Sequence, residues 1–490
     1  MIRTRFAPSP TGFLHVGGLR AALYNYLFAR KNQGKFLLRI EDTDQKRAVE
    51  GAVESLIKTL KWSGLEFDEG PGVEGSCGPY IQSQRTELYK KHADELLEKG
   101  FAYRCFCTAQ RLDEMRKLQE EKHLAPKYDQ HCLHLSKEET AKLMDASVPF
   151  VIRQKIPTSG AVEWEDAVRG NVSFKCDTID DQVLLKSDGF PTYHLANVVD
   201  DHMMNISHVI RGEEWLSSTP KHILLYQSFG WKHPIFSHLP LILNKDRSKL
   251  SKRQGDVAVE DYIKKGYLPE AMINFIALLG WHPGSDSTQE IFTLDELIEK
   301  FTLEKVHKAG AVFDLEKLDW INWQWRRKKF DAEPGDKSQK LLDLCAQYIP
   351  DEWKREEALL KRGLLTVEEK LLQDPSKVKD HISFYFKDEV KVDPAMVANP
   401  KMKVDLEIAK KGLEAIIKAL EDFDGFDEQE KIKNRLMEVI AGLGLKNGQV
   451  LWPARVALTG EQFSPGVFEV IWALGKEKAL IRLKRAVNTL

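Results

Sequence analysis

The chain has 490 residues, 42% of them hydrophobic and 30% charged, with a formal net charge of −2. That length is too great for one core and points to roughly two to four domains, in a composition that excludes disordered and fibrous classes. The near-zero charge excludes a globally basic nucleic-acid binder, so any polyanion must be met by local patches.

No apolar run follows Met1, which argues against a secretory signal. Residues 271–281, the longest apolar stretch, contain Asn274 and fall far short of the ~20 residues of a membrane span. Six cysteines do not make a disulfide framework in so long a chain. A cytoplasmic enzyme with no membrane partner is expected.

Residues 3–6 read as a short strand. Pro8 and Pro10 bias their predecessors to extended geometry, and Thr11-Gly12 reads as a turn. From Gly18 onward Leu19, Ala22, Leu23, Tyr26 and Leu27 repeat at helical spacing, and residues 32–34 end that helix. Residues 36–40 form a compact apolar strand running into Glu41-Asp42, followed by a second amphipathic helix with Val49, Val53, Leu56, Ile57 and Leu60. Strand, helix, strand, helix in this order predicts a β-α-β unit with parallel strands, whose ligands sit at the strands' carboxyl ends.

Near Pro79 the pattern changes. Helical stretches at 87–99 and 108–122 flank a cysteine cluster, and short strands follow between 150 and 174. Apolar strands resume at 181–186 and 206–211, so an insertion splitting the sheet is the simplest account. After residues 240–243 comes a basic loop, 244–255. Beyond about residue 331 the periods are helical to the end.

Two stretches carry chemistry. In RFAPSPTGFLHVGG (residues 5–18) a turn feeds a helix at Gly17-Gly18, where free N–H groups and the positive helix end favour an anion. His15 adds a donor there, suited to phosphate oxygens. KLSKR at 249–253, with Lys245 and Arg247, is a cationic loop suited to charge developing on a leaving pyrophosphate. A plain glycine turn and a solvated basic loop are the competing accounts of these residues taken alone.

A third constellation is Cys105-Phe-Cys107, then twenty-four residues, then Cys132-Leu-His134. Residues i and i+2 of extended backbone share a face, so each pair presents two ligands together. Two facing pairs give a Cys₃His set typical of structural Zn²⁺. Reduced cysteines without metal, or His131 and His123 as substitute ligands, are the alternatives.

HVGG followed far downstream by KLSKR resembles the paired "HIGH" and "KMSKS" signatures of class I aminoacyl-tRNA synthetases. APSPTGFLHVGG, RIEDTD, DGFPTYHLANVVDDH and RGEEW together look like bacterial-type glutamyl-tRNA synthetases. The similarity runs in order from residue 2 to about 322, and more loosely through LTGEQFSPGVFEVIWALGKEKALIRL near the end.

The resemblance implies an α/β Rossmann-type catalytic domain (1–80 and 183–231) with an inserted acceptor-binding domain (81–182). A stem-contact domain carrying the KLSKR loop (232–330) and an all-α anticodon-binding C-terminal half (331–490) would follow. The implied activity is ligation of L-glutamate to tRNA(Glu), and in some members also tRNA(Gln), through a glutamyl-adenylate formed from ATP with Mg²⁺. By the same resemblance, Ser9, His15, Gly17, Glu214, Trp215 and Lys252 line the ATP site, and Lys249, Lys252 and Arg253 stabilise pyrophosphate. Arg5 and Arg211 would bind the substrate side-chain carboxylate, and Glu41 its ammonium, with Ser9, Tyr193 and Asn197 completing the shell. The family also carries C-x-C…C-x-H zinc sites in some bacteria, and a monomer is expected. Residues 320–329 interleave tryptophans with cations, and the C-terminal helix carries Lys476, Lys478, Arg482, Lys484 and Arg485. Both fit RNA contact, but packing of an amphipathic helix is the commoner explanation of such a stretch.

Glutaminyl-tRNA synthetases carry β-barrel anticodon domains, which residues 331–490 do not suggest. The short paralogue that glutamylates queuosine and the small nucleotidyltransferases lack a helical half.

Overall fold

In the computed structural model, which describes residues 1–250, 258–284 and 286–490, strand β1 (Arg3–Phe6) runs parallel to β2 (Lys35–Leu38), with Arg3 opposite Lys35 and Phe6 opposite Leu38. Helix α1 (Val16–Lys31) makes the crossover. It is buried on all sides: Leu19, Ala22, Leu23, Tyr24 and Leu27 are fully covered, and Arg20 and Asn25 nearly so. Backbone carbonyls accept from the two polar side chains, Asn25 Nδ2 donating to Ile210 O at 2.9 Å and Arg20 Nη1 to Leu279 O at 3.0 Å, while Asn25 Oδ1 and Arg20 Nε are buried without a partner among the described residues. Helix α2 (Ala52–Trp62) is the amphipathic one expected, but Val49 stands exposed in the turn before it.

The insertion contains α3 (Thr86–Glu98), β3 (Ala102–Cys105), α4 (Ala109–Glu121), α5 (Lys137–Asp145) and β4 (Val151–Gln154). A hairpin of β5 (Ala161–Asp166) and β6 (Gly170–Lys175) follows, then β7 (Val183–Leu185). Along β5, Val162, Trp164 and Asp166 alternate inward, the period-2 pattern of a half-buried strand.

Beyond it come α6 (Tyr193–Met203), β8 (His208–Gly212), α7 (Thr219–Phe229) and β9 (Ile235–Leu239). β8 and β9 are parallel, from His208 opposite Ile235 to Gly212 opposite Leu239. Asp166 at the end of β5 pairs with Phe236, giving the sheet order β6-β5-β9-β8.

The sheets depart from the sequence-based boundaries in three places, the first being the β5–β6 hairpin, which was expected within the insertion and joins β9. β7, expected to rejoin the catalytic sheet, pairs antiparallel with β4 inside the inserted sheet β3-β4-β7. β9, beyond the expected boundary at 231, belongs with β8. Short apolar runs announce a strand but not its partner, because pairing is decided by contacts distant in sequence.

The chain divides into two compact units, Met1–Ile321 and Asn322–Leu490. The second is helical, with a core built from residues such as Leu360, Leu364, Ile382, Phe384, Leu413, Ile416, Leu436 and Ile471. No helix among the described residues is long and apolar enough to cross a membrane.

Candidate active site

Two buried arginines and two carboxylates converge at the ends of β1, β2 and α6. Arg5, on β1, donates through Nε and Nη2 to Asp201 at 3.0 and 3.3 Å. Arg39, just beyond β2, donates through Nη1 to the same carboxylate at 2.7 Å and through Nη2 to Glu41 Oε1 at 2.8 Å. Asn197 Nδ2 reaches that same Oε1 at 3.2 Å. Arg5 Nη1, Glu41 Oε2 and Asn197 Oδ1 are left without hydrogen-bond partners among the described residues, although the three residues are 2–6% exposed. None of these atoms is sealed from solvent, so together they offer an open charged set to a ligand.

The charges tune one another. Burial pushes Glu41 up, and Arg39 and Arg5 offset this only in part. Burial opposes ionisation of Asp201 too, but Arg5 and Arg39 outweigh it and hold that carboxyl below the usual range. Its neighbour Asp200 accepts from Arg85 Nε, Gln82 Nε2 and the Tyr89 hydroxyl, each at 2.8 Å, which ties α6 to α3 of the insertion. Arg5, Arg39 and Arg211 against Glu41 and Asp201 leave one net positive charge, three minus two.

Arg211, on β8, is held on two sides. Nε donates to His238 Nε2 at 3.1 Å, and Nη2 donates to Thr219 Oγ1 at 2.8 Å and Trp215 O at 3.4 Å. Nη1 donates to the Tyr193 hydroxyl at 2.9 Å. The phenol's own proton has no acceptor among the described residues, and burial raises its pKa, so it stays a donor. Tyr193 also feels Arg5, Glu41 and Asp201 and packs on Trp215 at 4.4 Å between ring centroids, so the two halves of the pocket adjoin. Beneath Tyr193 lies the pair His194–His222, 3.1 Å apart; burial pushes His194 down to about 3 and His222 well below its ordinary value, so both are neutral.

The glycine-turn end is built differently. His15 caps α1: Gly17 N–H donates to His15 Nδ1 at 2.9 Å, so the neutral ring carries its proton on Nε2. A Cβ on Gly17 would lie 3.3 Å from that Nδ1, a contact the imidazole would have to yield to slightly. The first turn of α1 has no acidic residue to oppose an anion. Ser9 is exposed, and Glu41 N–H bonds to Pro8 O at 3.0 Å, which sets the Ser9 turn beside Glu41. Glu214 and Trp215 lie exposed on the 3₁₀ turn Glu213–Ser218. Lys249 is exposed where the basic loop returns to pair with Leu243. Lys252 and Arg253 lie outside the described residues.

Residues 1–320 match the model of the class I tRNA synthetase (E and Q) catalytic domain, and residues 340–487 match an anticodon-binding domain. The chain belongs to the class I tRNA synthetases of this type. A glutamate–tRNA ligase of Chloroherpeton thalassium is 47% identical, covering 100% of this chain and 98% of its own length. One from Clostridioides difficile is 44% identical over 100% and 99%. The crystal structure of a glutamate tRNA ligase from Elizabethkingia meningosepticum, in complex with its amino acid, superposes with a TM-score of 0.85 at 36% identity, covering 100% of this chain and 99% of that one.

In the synthetase's insertion Cys105, Cys107 and Cys132 bring their sulfurs within 4.8 Å of one another. His134 does not join the group; it sits on the 3₁₀ turn His131–His134, where residues i and i+2 no longer share a face. The Tyr128 hydroxyl lies 3.3 Å from both Cys105 Sγ and Cys107 Sγ instead. Phe106 N–H points at Cys132 Sγ at 3.4 Å and Arg111 Nη1 at Cys107 Sγ at 3.5 Å, while burial and the neighbouring sulfurs push the Cys107 thiol up to about 11. Three soft ligands ringed by donors fit a thiophilic cation.

In the helical unit the C-terminal cations are engaged. Lys484 pairs with Glu421 at 2.7 Å, Lys476 with Asp424 at 3.3 Å, Arg485 with Glu389 at 3.4 Å, and Lys478 with Glu356. Arg482 is buried among backbone carbonyls. These residues brace the unit, the plainer of the two readings of that helix.

Sequence reasoning missed Arg39, Asp201, Thr219, His238 and Asp166. The first two lie inside RIEDTD and VVDDH, and an arginine beside paired acids was the available signal. Nothing near Asp166 or His238 in the sequence connects either to Arg211.

Proposed function

We propose that this synthetase joins L-glutamate to the terminal ribose of tRNA(Glu). Glutamate and ATP first give glutamyl-adenylate and diphosphate, and the glutamyl group then passes to tRNA with release of AMP. The observation that carries the specificity is the open set of Arg5 Nη1, the Tyr193 hydroxyl proton and Glu41 Oε2, with Arg211 Nη1 donating to that phenol, which matches one carboxylate and one ammonium in a site of net charge +1. The substrate side-chain carboxylate takes the guanidinium and phenol donors, and Glu41 accepts from the ammonium. The remaining α-carboxylate is the nucleophile at the α-phosphorus, so no side-chain nucleophile is needed and the work is positioning and charge stabilisation.

His15 Nε2–H and the N-terminus of α1 receive the ATP phosphates, with Trp215 and Glu214 at the adenosine and Ser9 between the two substrates. Lys249, Lys252 and Arg253 stabilise the departing diphosphate. Mg²⁺ enters on the ATP phosphates and neutralises part of their charge. The insertion, 81–182, receives the acceptor end, residues 232–330 the stem, and 331–490 the anticodon. Zn²⁺ is held by Cys105, Cys107 and Cys132 with Tyr128 rather than His134 in the fourth position, and its role is to fix the insertion.

Glutamylation assayed separately on purified tRNA(Glu) and tRNA(Gln) tests the reading. Charging of tRNA(Glu) is expected, and the second tRNA reports the acceptor range; charging of neither would defeat the assignment. For the metal, about one equivalent of zinc is expected after dialysis, retained by His134→Ala and lost by Cys132→Ser. Loss on His134→Ala would restore the histidine as ligand.

A further inference from the structure

Behind Arg211 lies a pair of side chains to which neither the motifs nor the reaction assigns a part. Asp166 is 1% and His238 0% exposed. Asp166 Oδ2 stands 2.5 Å from His238 Nδ1, and Oδ1 accepts backbone N–H groups of His238, Val168 and Arg169 at 3.2, 3.1 and 3.0 Å. We propose that Asp166 and His238 are a positioning pair that fixes the plane of the Arg211 guanidinium and thereby sets the affinity of the site for the glutamate side-chain carboxylate. This rests on the reading that Arg211 contacts that carboxylate.

The assignment follows from which atoms carry hydrogens. Arg211 Nε has only a hydrogen to give, and it faces His238 Nε2 at 3.1 Å, so Nε2 must present its lone pair. The ring proton is then on Nδ1, and the ionised Asp166 carboxylate is what selects that tautomer. Burial keeps the ring neutral although Asp166 opposes this, with Arg211 and Arg169 acting in the same direction as burial. Thr219 Oγ1 closes the arrangement, 3.1 Å from the same Nε2 and 2.8 Å from Arg211 Nη2. With Nε and Nη2 occupied, only Nη1 is turned towards Tyr193 and the substrate.

The source of the pair is informative. Asp166 is the last residue of β5, in the insertion, while His238 and Arg211 lie on β9 and β8. From the same hairpin turn Arg169 donates through Nε to His238 O at 3.2 Å and pairs with Glu213, two residues beyond Arg211. Glu213 in turn accepts Leu241 N–H at 3.1 Å. One turn of the insertion therefore braces the arginine through the imidazole and braces the backbone after it.

The test measures KM for glutamate and for ATP in tRNA glutamylation by the full chain, for Asp166→Asn, His238→Leu, His238→Gln and Arg211→Leu. The isosteric Asp166→Asn offers its amide N–H to Nδ1 and forces the ring proton onto Nε2, against Arg211 Nε–H. Asp166→Asn and His238→Leu are expected to raise KM for glutamate about tenfold or more, with KM for ATP within about twofold. His238→Gln, whose amide oxygen can stand in for the Nε2 lone pair, is expected to recover most of that loss. Melting-temperature changes without a glutamate KM change in Asp166→Asn and His238→Leu would overturn the positioning role, as would equal rises in both KM values. If Arg211→Leu raises KM for glutamate and the other variants do not, the positioning role falls and the substrate assignment stands. If Arg211→Leu leaves it unmoved, the substrate assignment fails first. Should the buried variants not fold, ¹⁵N NMR of the unaltered chain decides: a non-protonated His238 Nε2 is expected, and a protonated one overturns the proposal.

Discussion

The two units place charge in opposite ways. In Met1–Ile321 the guanidinium groups of Arg5, Arg39, Arg85 and Arg211 are buried and matched to Asp200, Asp201, Glu41 or histidine. In Asn322–Leu490 the core is apolar and the ions lie outside it, many three or four residues apart on one helix, as with Lys431–Glu428 and Lys361–Glu357. Burying ion pairs is a poor route to stability, because desolvation rivals the Coulomb attraction. Their concentration in one unit therefore indicates function: a buried, pre-oriented set of charges is what selects a small charged substrate. The helical unit keeps its ion pairs in water, where each contributes little.

The comparison breaks first at the charges assigned to the reacting phosphates. Lys252→Ala is expected to lower the rate of adenylate formation by roughly two to three orders of magnitude, the usual scale for losing one fixed donor to transition-state charge. ATP–pyrophosphate exchange in the presence of tRNA checks this, and an unchanged rate would remove Lys252 from the mechanism.

Glu41→Gln comes next. It keeps the shape and the contact with Arg39 but loses the charge that receives the ammonium, so kcat/KM for glutamate should fall about 50-fold, or about 2.3 kcal/mol, with KM for ATP unmoved. The native chain should show the same dependence through pH. The Glu41 pKa is raised by burial, so the carboxylate takes up its proton above the ordinary carboxylate range, and kcat/KM for glutamate should decline on acidification from that higher pH. Stability moves the opposite way. The folded state binds this proton more readily than the unfolded one, so between the ordinary and the raised pKa the Glu41 contribution to stability falls as pH rises. A glutamate acid limb at ordinary carboxylate pH would show that Glu41 is not the group titrating.

These two experiments also mark what was legible in the sequence. The family resemblance named Arg5, Glu41, Tyr193, Asn197 and Arg211; the structure links Arg5, Glu41 and Asn197 through Asp201 and Arg39, and joins Arg211 to Tyr193. The β-α-β start and the helical C-terminal half were legible too, because both rest on periodicity over many residues. Partners set by distant pairing were not. β7 joins the inserted sheet and β9 the catalytic one, and Asp166 meets His238 only because β5 and β9 lie side by side. His134 shows the same limit, since a two-residue spacing presents a shared face only in extended backbone and that segment is a 3₁₀ turn. Lys252 and Arg253 of the KLSKR loop, proposed to stabilise pyrophosphate, lie outside the described residues.

A smaller effect sharpens the contrast from the helical side. Arg482 is that unit's buried exception, and it has carbonyls as partners: Leu458 at 2.8 Å and Phe384 and Lys387 at 2.9 Å. Without a carboxylate partner, burial pushes its pKa down to about 10. Both folded and unfolded chains hold this charge at neutral pH, so its contribution should not vary with pH there. Arg482→Met leaves buried carbonyls unsatisfied and should destabilise the helical unit by about 2 kcal/mol, seen by calorimetry of the full chain. KM for glutamate should stay the same, because this charge braces the fold and contacts no ligand. A change in that KM would mean that the buried charges of the two units are not divided between binding and bracing.

The smallest effect lies on the surface of the same helix. Lys484 and Glu421 are 2.7 Å apart with their side chains 54% and 46% exposed. A pair so open to water exchanges a modest attraction for the entropy of holding two long side chains and is screened by salt, so Lys484→Ala should cost about 0.5 kcal/mol or less. Charging rate as a function of salt adds the decisive reading. If Lys484 only braces the helix, the variant and the parent should show the same rise in tRNA KM as salt increases. If Lys484 leaves Glu421 to neutralise a phosphate, its loss should flatten the salt slope by about one unit. A flattened slope would show that the paired cations of the helical unit are held in reserve for RNA, and the contrast between binding charges and bracing charges would then run within each unit as well as between them.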